Sequence, residues 1–138
     1  MRVPQSLDYA LRALVLLALQ PVGDYVAAGE LANHLGLPRR FVEQQVTALS
    51  RAGIVRCRRG ASGGCELNRP AREITVLDVV EAVQGDVLDV PHVTGSSTSV
   101  LWEDAAEYLG GFLAGVTLDD LAERQRAIDG AAVSMYWI

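Results

Sequence analysis

Arg40, Glu43, Gln44, Thr47 and Arg51 recur at three- and four-residue intervals, the spacing that shares one side of a helix. Their types suit the edges of bases better than they suit a reaction. Arg can grip a guanine edge with two donors, Gln can pair with adenine, and Glu can accept from cytosine. Val42, Val46 and Leu49 take the other side of the same stretch, flanked by Phe41 and Gln45. Arg39, Arg51, Arg2 and Ser6 suit phosphate contacts or plain surface charge. A second group follows in Arg58, Arg59 and Ser62, around a GASGG turn. Arginines at a hairpin tip suit a narrow minor groove, where the negative potential is enhanced. No nucleophile motif, phosphate loop or His/Cys/acid cluster at metal spacing accompanies them. An enzyme is not expected.

Two helices and a hairpin must position these side chains. Leu31, Ala32 and Leu35 share a face, Gly36 breaks the pattern, and Pro38 stands where a second helix takes its first residue. That helix spans 38–52 and Gly53 ends it. A wing over 54–68 follows, with Ile54–Arg59 as one strand and Cys65–Asn68 as the other. Pairing Arg59 with Cys65 would place Cys57 opposite Leu67, so the two thiols sit diagonally and a disulfide is awkward. On this reading Cys57 and Cys65 are small core residues under the wing. The fold class is mainly α with a small β-hairpin wing: a winged helix-turn-helix with a long C-terminal dimerisation helix.

Charge is divided along the chain. Residues 1–72 hold ten Arg against five acids, a balance of +5, whereas 73–138 hold two Arg against twelve acids, a balance of −10. The overall −5 hides a basic half that coincides with the helix-turn-helix and wing. Double-stranded DNA is the expected partner. The other reading is a protein-interaction module that keeps the winged helix without binding an operator. At 138 residues, half of them apolar, the chain can bury a real core. All twelve cationic residues are Arg. No cleavable leader and no membrane span are expected, since the apolar run Ala13–Leu19 falls short of the ~20 residues a span needs. Two cysteines without a secretory signal point to the cytoplasm and reduced thiols.

Ser6 is the expected cap of a first helix that runs to about Gln20 and is apolar almost all round, hence buried on most sides. Asp8 fits as an acid in its first turn. Past the wing, Thr75 with Asp78 forms a variant capping box, and Ile74 with Val79 a hydrophobic staple. The helix stops before Gly85, which closes a DNA-binding unit over 1–85. Residues 86–99 read as a loop containing a lone His92, more apt to be structural or exposed than a ligand. A helix over about 100–115 carries Leu101, Ala105, Tyr108, Leu109 and Phe112 as a dimerisation stripe, and Gly110–Gly111 would let another helix come close. Thr117 caps a last helix ending near Ile128, which leaves 129–138 as an apolar tail expected to pack on a dimer or partner.

The segments SLDYALRALVLLA, ELANHLGLPRRFVEQQVTALSRAGIV, RRGASGGCEL, RPAREITVLDVVEAVQG and TLDDLA resemble the family of bacterial winged-helix regulators that includes IscR, NsrR and CymR. The resemblance is close over 1–85 and looser over 100–122. It implies a cytoplasmic homodimeric transcription regulator, usually a repressor, whose long helix pairs with its two-fold mate. It also accounts for the apolar first helix as part of the dimer packing. Many such regulators hold an iron–sulfur cluster through three cysteines in the loop that corresponds to 86–99. Here that loop has none, so the resemblance is to the branch without cluster cysteines, with no cofactor and a protein partner or small-molecule effector as the signal.

Overall fold

The computed structural model describes residues 1–136 and comprises six α-helices and one two-stranded antiparallel sheet. α1 (Gln5–Ala18) starts earlier than the sequence suggested. Pro4 is its N-cap, and the Pro4 carbonyl accepts from the Leu7 and Asp8 amides at 3.1 and 3.2 Å. Ser6 therefore lies inside the first turn and caps nothing, because proline's fixed φ already suits a helix start. Leu7, Ala10, Ala13, Leu14 and Leu17 are buried. The remaining apolar side, Leu11, Val15 and Leu16, lines an open cleft of about 450 Å³ shared with Leu121.

α2 (Ala28–Leu35) and α3 (Arg39–Arg51) form the helix-turn-helix. Gly36 caps α2 in the left-handed conformation at φ 66°, which a Cβ would disfavour, and so lets the chain reverse in three residues. Leu31 and Ala32 of α2 are buried in one core with Val42, Val46 and Leu49 of α3. Each large side chain so buried contributes roughly 1.5–3 kcal/mol.

β1 (Val55–Arg58) and β2 (Gly64–Leu67) make the wing, in the register Val55 to Leu67, Arg56 to Glu66, Cys57 to Cys65 and Arg58 to Gly64. This corrects the expected pairing: Cys57 opposes Cys65, not Leu67. Val26 sets the register from outside the hairpin. Its amide donates to Cys65 O at 2.9 Å, and its carbonyl accepts from Cys65 N at 2.8 Å. Gly64 must be glycine for this to happen, because a Cβ there would stand 2.5 Å from the Val26 carbonyl carbon, and its φ is +140°.

After a 3-10 turn (Ala71–Glu73), α4 (Val76–Gln84) begins with the expected box. Asp78 N donates to Thr75 Oγ1 at 3.1 Å, and Thr75 N donates to Asp78 Oδ2 at 3.0 Å. Ile74 and Val79 are both fully buried. α5 (Ser97–Ala114) begins three residues earlier than expected and buries only Ser99. The Ser99 hydroxyl accepts from Val93 N at 2.9 Å and donates to Pro91 O at 3.0 Å, which fastens the preceding loop to the helix start.

α6 (Leu118–Tyr136) repeats the box, with Thr117 N to Asp120 Oδ2 at 2.9 Å and Asp120 N to Thr117 Oγ1 at 3.1 Å. It runs past Ile128, where the sequence suggested an end. Helix propensity favours continuation, since Gly130 is followed by two alanines rather than a proline. The packing expected of the apolar tail from Val133 to Ile138 lies outside the described residues. The two boxed starts are joined by a bridge between Thr75 and Thr117, with Val76 N to Val116 O at 2.8 Å and Leu118 N to Ile74 O at 2.9 Å. Leu118 and Ala122 are fully buried, and α6 lies along α1. Among the described residues no helix is long and apolar enough to cross a membrane.

Candidate nucleic-acid interface

α3 divides cleanly. Its buried side is Val42, Val46 and Leu49, while Arg39, Arg40, Glu43, Gln44, Thr47 and Arg51 are all exposed. Arg39 Nε donates to Glu43 Oε1 at 2.8 Å, so Glu43 is already engaged one turn along the surface. The Thr47 hydroxyl donates to the Glu43 carbonyl at 2.9 Å and keeps only acceptor capacity for a ligand. Arg40 and Gln44 have no such commitments among the hydrogen bonds of the described side chains, and they lie one turn apart at the N-terminal half of the helix. That half is the part that meets base edges in helix-turn-helix proteins.

Arg2 and Ser6 are exposed at the start of α1. The Tyr9 and Phe41 ring centres, 6.5 Å apart, bring the N-terminal halves of α1 and α3 together. Arg58, Arg59 and Ser62 are exposed at the wing tip. Arg58 donates to Ser62 O at 3.0 Å, and its guanidinium carbon is 4.1 Å from the centre of the Tyr25 ring. Arg59 is the first residue past β1 and makes no hydrogen bond among the described side chains. Nothing in the sequence pattern singles out Tyr25. The available signal was a single aromatic next to Val26, whose pairing with Cys65 is non-local and has no mark in sequence.

The same is true of Glu66. It is 7% exposed, accepts from Arg56 Nε at 2.7 Å and from Gly23 N at 3.2 Å, and so ties the wing to the loop after α1. The Arg56 hydrogen bond holds the Glu66 carboxyl below its ordinary pKa against the opposing effect of burial, and Arg56 is raised in turn.

Cys57 and Cys65 are joined in a disulfide, with Cα atoms 4.2 Å apart. The expectation of two reduced, diagonal core thiols is overturned by the register. Only Cys65 is buried, at 5%, and Cys57 is exposed.

The stripe Leu101, Tyr108, Leu109 and Phe112 stands outside the core, with Tyr108 83% and Phe112 68% exposed, and Ala105 half-buried between them. A Cβ on Gly111 would meet nothing within 4 Å, so that face is open to a second body.

A family model described as Rrf2, iron-dependent transcriptional regulator, matches residues 3–124. The chain belongs to the Rrf2 family. Curated members similar to it include a helix-turn-helix-type transcriptional regulator of Mycobacterium tuberculosis H37Rv, 32% identical over 131 residues that cover 88% of this chain and 81% of the relative. The transcriptional regulator IscR of Escherichia coli is 30% identical over 138 residues, covering 94% and 85%. Among solved structures, CymR, the global cysteine regulator of B. subtilis, superposes with a TM-score of 0.80 at 25% identity, over 90% of this chain and 98% of its own. IscR of T. potens superposes with 0.78 at 29% identity, over 91% and 88%.

The Rrf2 description names iron, and an iron–sulfur cluster is held mainly by thiolates. The loop 86–96 offers Asp86, Asp89 and His92 without sulfur, and His92 Nδ1 lies 3.2 Å from Glu103 Oε1. Both cysteine sulfurs of the chain are bonded to one another in the wing. Among the described residues, no group of three or more His, Cys, Asp or Glu is placed to hold a metal ion. The donor set does not fit a cluster.

Proposed function

We propose that this chain is a cytoplasmic, homodimeric transcription regulator, acting as a repressor, that reads a pseudo-palindromic operator with α3 and the wing. One observation carries the reading. Arg40 and Gln44 are exposed and uncommitted on a helix whose other side is rooted in the core. Arg40 would take a guanine edge and Gln44 an adenine edge. Arg39, Arg51, Arg2 and Ser6 would hold the backbone on either side, and Arg59 would enter the minor groove from the wing. The exposed stripe on α5 supports the dimer. Pairing it with a two-fold mate would set two recognition helices about one helical turn apart. The same reading makes the chain neither an enzyme nor a cluster protein, with a protein partner or a small molecule as the signal.

Selection of a binding site from random DNA, followed by fluorescence anisotropy on the selected site and a scrambled control, tests it. A two-fold-related motif bound at least ~10³ tighter than the control is expected. Equal affinity for both would return the chain to the alternative of a protein-interaction module. Anaerobically purified protein should be colourless, and its DNA affinity should be indifferent to an iron chelator. Stoichiometric iron and sulfide would overturn the cluster-free assignment.

A further inference from the structure

We infer that the Cys57–Cys65 disulfide is a thiol-exchange site that sets the affinity of the wing for DNA, an inference that rests on the DNA-binding reading above. The position in the ladder is the first support. Cys65 spends both its backbone N–H and its carbonyl on Val26, so the Cys57–Cys65 pair is a non-hydrogen-bonded one. Such pairs bring Cα atoms closest, and here they are 4.2 Å apart. The sulfur bridge stands where the ladder supplies no hydrogen bond of its own.

The second support is how the two strands are anchored. β2 is central, paired to β1 on one side and to Val26 on the other. β1 is an edge, and a hairpin of two four-residue strands is marginal by itself. Beyond the Arg56–Glu66 pair, the outer half of β1 is held across the sheet by the disulfide and the terminal Arg58–Gly64 pair, next to the tip cations Arg58 and Arg59. The bridge therefore governs how tightly those cations are placed.

Access is the third support. Cys57 is exposed and Cys65 is buried, so one sulfur is open to an incoming thiolate and its mate is the shielded leaving group. A small dithiol would attack Cys57 Sγ, breaking the S–S bond and forming a mixed disulfide, with Cys65 leaving as a thiolate and taking up a proton. The second thiol of the reagent then displaces Cys57. Two electrons and two protons pass to the protein, and the reagent leaves as a cyclic disulfide. A small disulfide in excess reverses both steps. In a reducing compartment such bridges are commonly transient and sensory rather than structural.

The direction follows from ordering. With the bridge closed, the tip is fixed before DNA arrives, so less freedom is lost on binding. The oxidised form is the tight binder. The experiment uses the full chain and its selected operator, equilibrated in parallel with excess dithiothreitol or excess oxidised glutathione. Alkylation with a maleimide after acid quenching counts the free thiols in each arm.

We expect two free thiols in the first arm and none in the second, with operator affinity about five- to tenfold higher when oxidised. The salt slope should steepen on oxidation by about 0.9, one phosphate contact regained. The double variant Cys57→Ser, Cys65→Ser should melt cooperatively, bind with the weaker affinity and ignore both reagents. Equal affinity in the two arms, or two thiols persisting under excess disulfide, overturns the inference while leaving operator binding intact. Absence of specific binding in both arms removes the DNA-binding reading itself, and this inference with it.

Discussion

Arg40 and Gln44 differ from Arg51 in what their loss should do. Arg40→Ala and Gln44→Ala should each relax preference at particular operator positions by ~1–3 kcal/mol and barely alter binding to random DNA. Arg51→Ala should weaken all sequences alike and flatten the salt slope by ~1. Anisotropy titrations on the selected site and on a scrambled duplex separate the two classes, and identical losses on both would mean the helix face is misassigned. Glu66 adds a pH dependence. Its carboxyl is held below the ordinary range in the folded chain, so the stability it contributes is complete above the ordinary, unfolded value. That contribution fades as pH falls through the lower, folded value. Glu66→Gln should lower the melting temperature at neutral pH and shrink the acid-side decline, measured by circular dichroism across that range. An unchanged acid limb would mean the Arg56 and Gly23 contacts are incidental.

Helices proved more legible than strand pairing, and the reason is locality. The Thr75–Asp78 box is written in four consecutive residues, and both of its hydrogen bonds form. The buried and exposed sides of α3 follow from spacing within thirteen residues. The wing register was misread because Gly64 looks like a turn residue in sequence, whereas it is the first residue of β2. What draws it into the strand is Val26, thirty-eight positions earlier, and no local pattern announces that contact. Tyr25 and Glu66 were missed for the same reason. Gly64→Ala tests the arrangement at this scale. The added methyl meets the Val26 backbone, so the wing should detach from the loop, with amide exchange at Val26 and Cys65 accelerating by at least ~tenfold while the α3 core stays protected. Unaltered exchange at both amides would show that the close approach is not what fixes the register.

The arginines of α3 and the wing tip are exposed in the first half of the chain, and the apolar stripe is exposed on α5. Tyr108→Glu with Phe112→Glu should convert a dimer into a monomer in sedimentation and cost operator affinity more than ~tenfold, since charge is introduced at the centre of the expected contact. A wild-type chain already monomeric at micromolar concentration would defeat that expectation. The bridge between Thr75 and Thr117 has a consequence for how such a dimer would be wired. It gathers both ends of the segment 76–116 at a single point, so α5 belongs to an excursion that leaves and returns through one bearing. A torque applied to α5 by its mate therefore arrives at the first turns of α4 and α6 together, beside α1. α4 touches both α5 and α3, so α4 with the bearing at its start links the dimer seam to the groove-reading helix. Loosening it with Thr117→Val should leave both ends of the route standing, dimer and isolated-site binding alike, and uncouple them. The hypothesis predicts that operator half-site spacing, sharply selected by the intact chain, becomes permissive in that variant, and a spacing profile as narrow as the original would refute it.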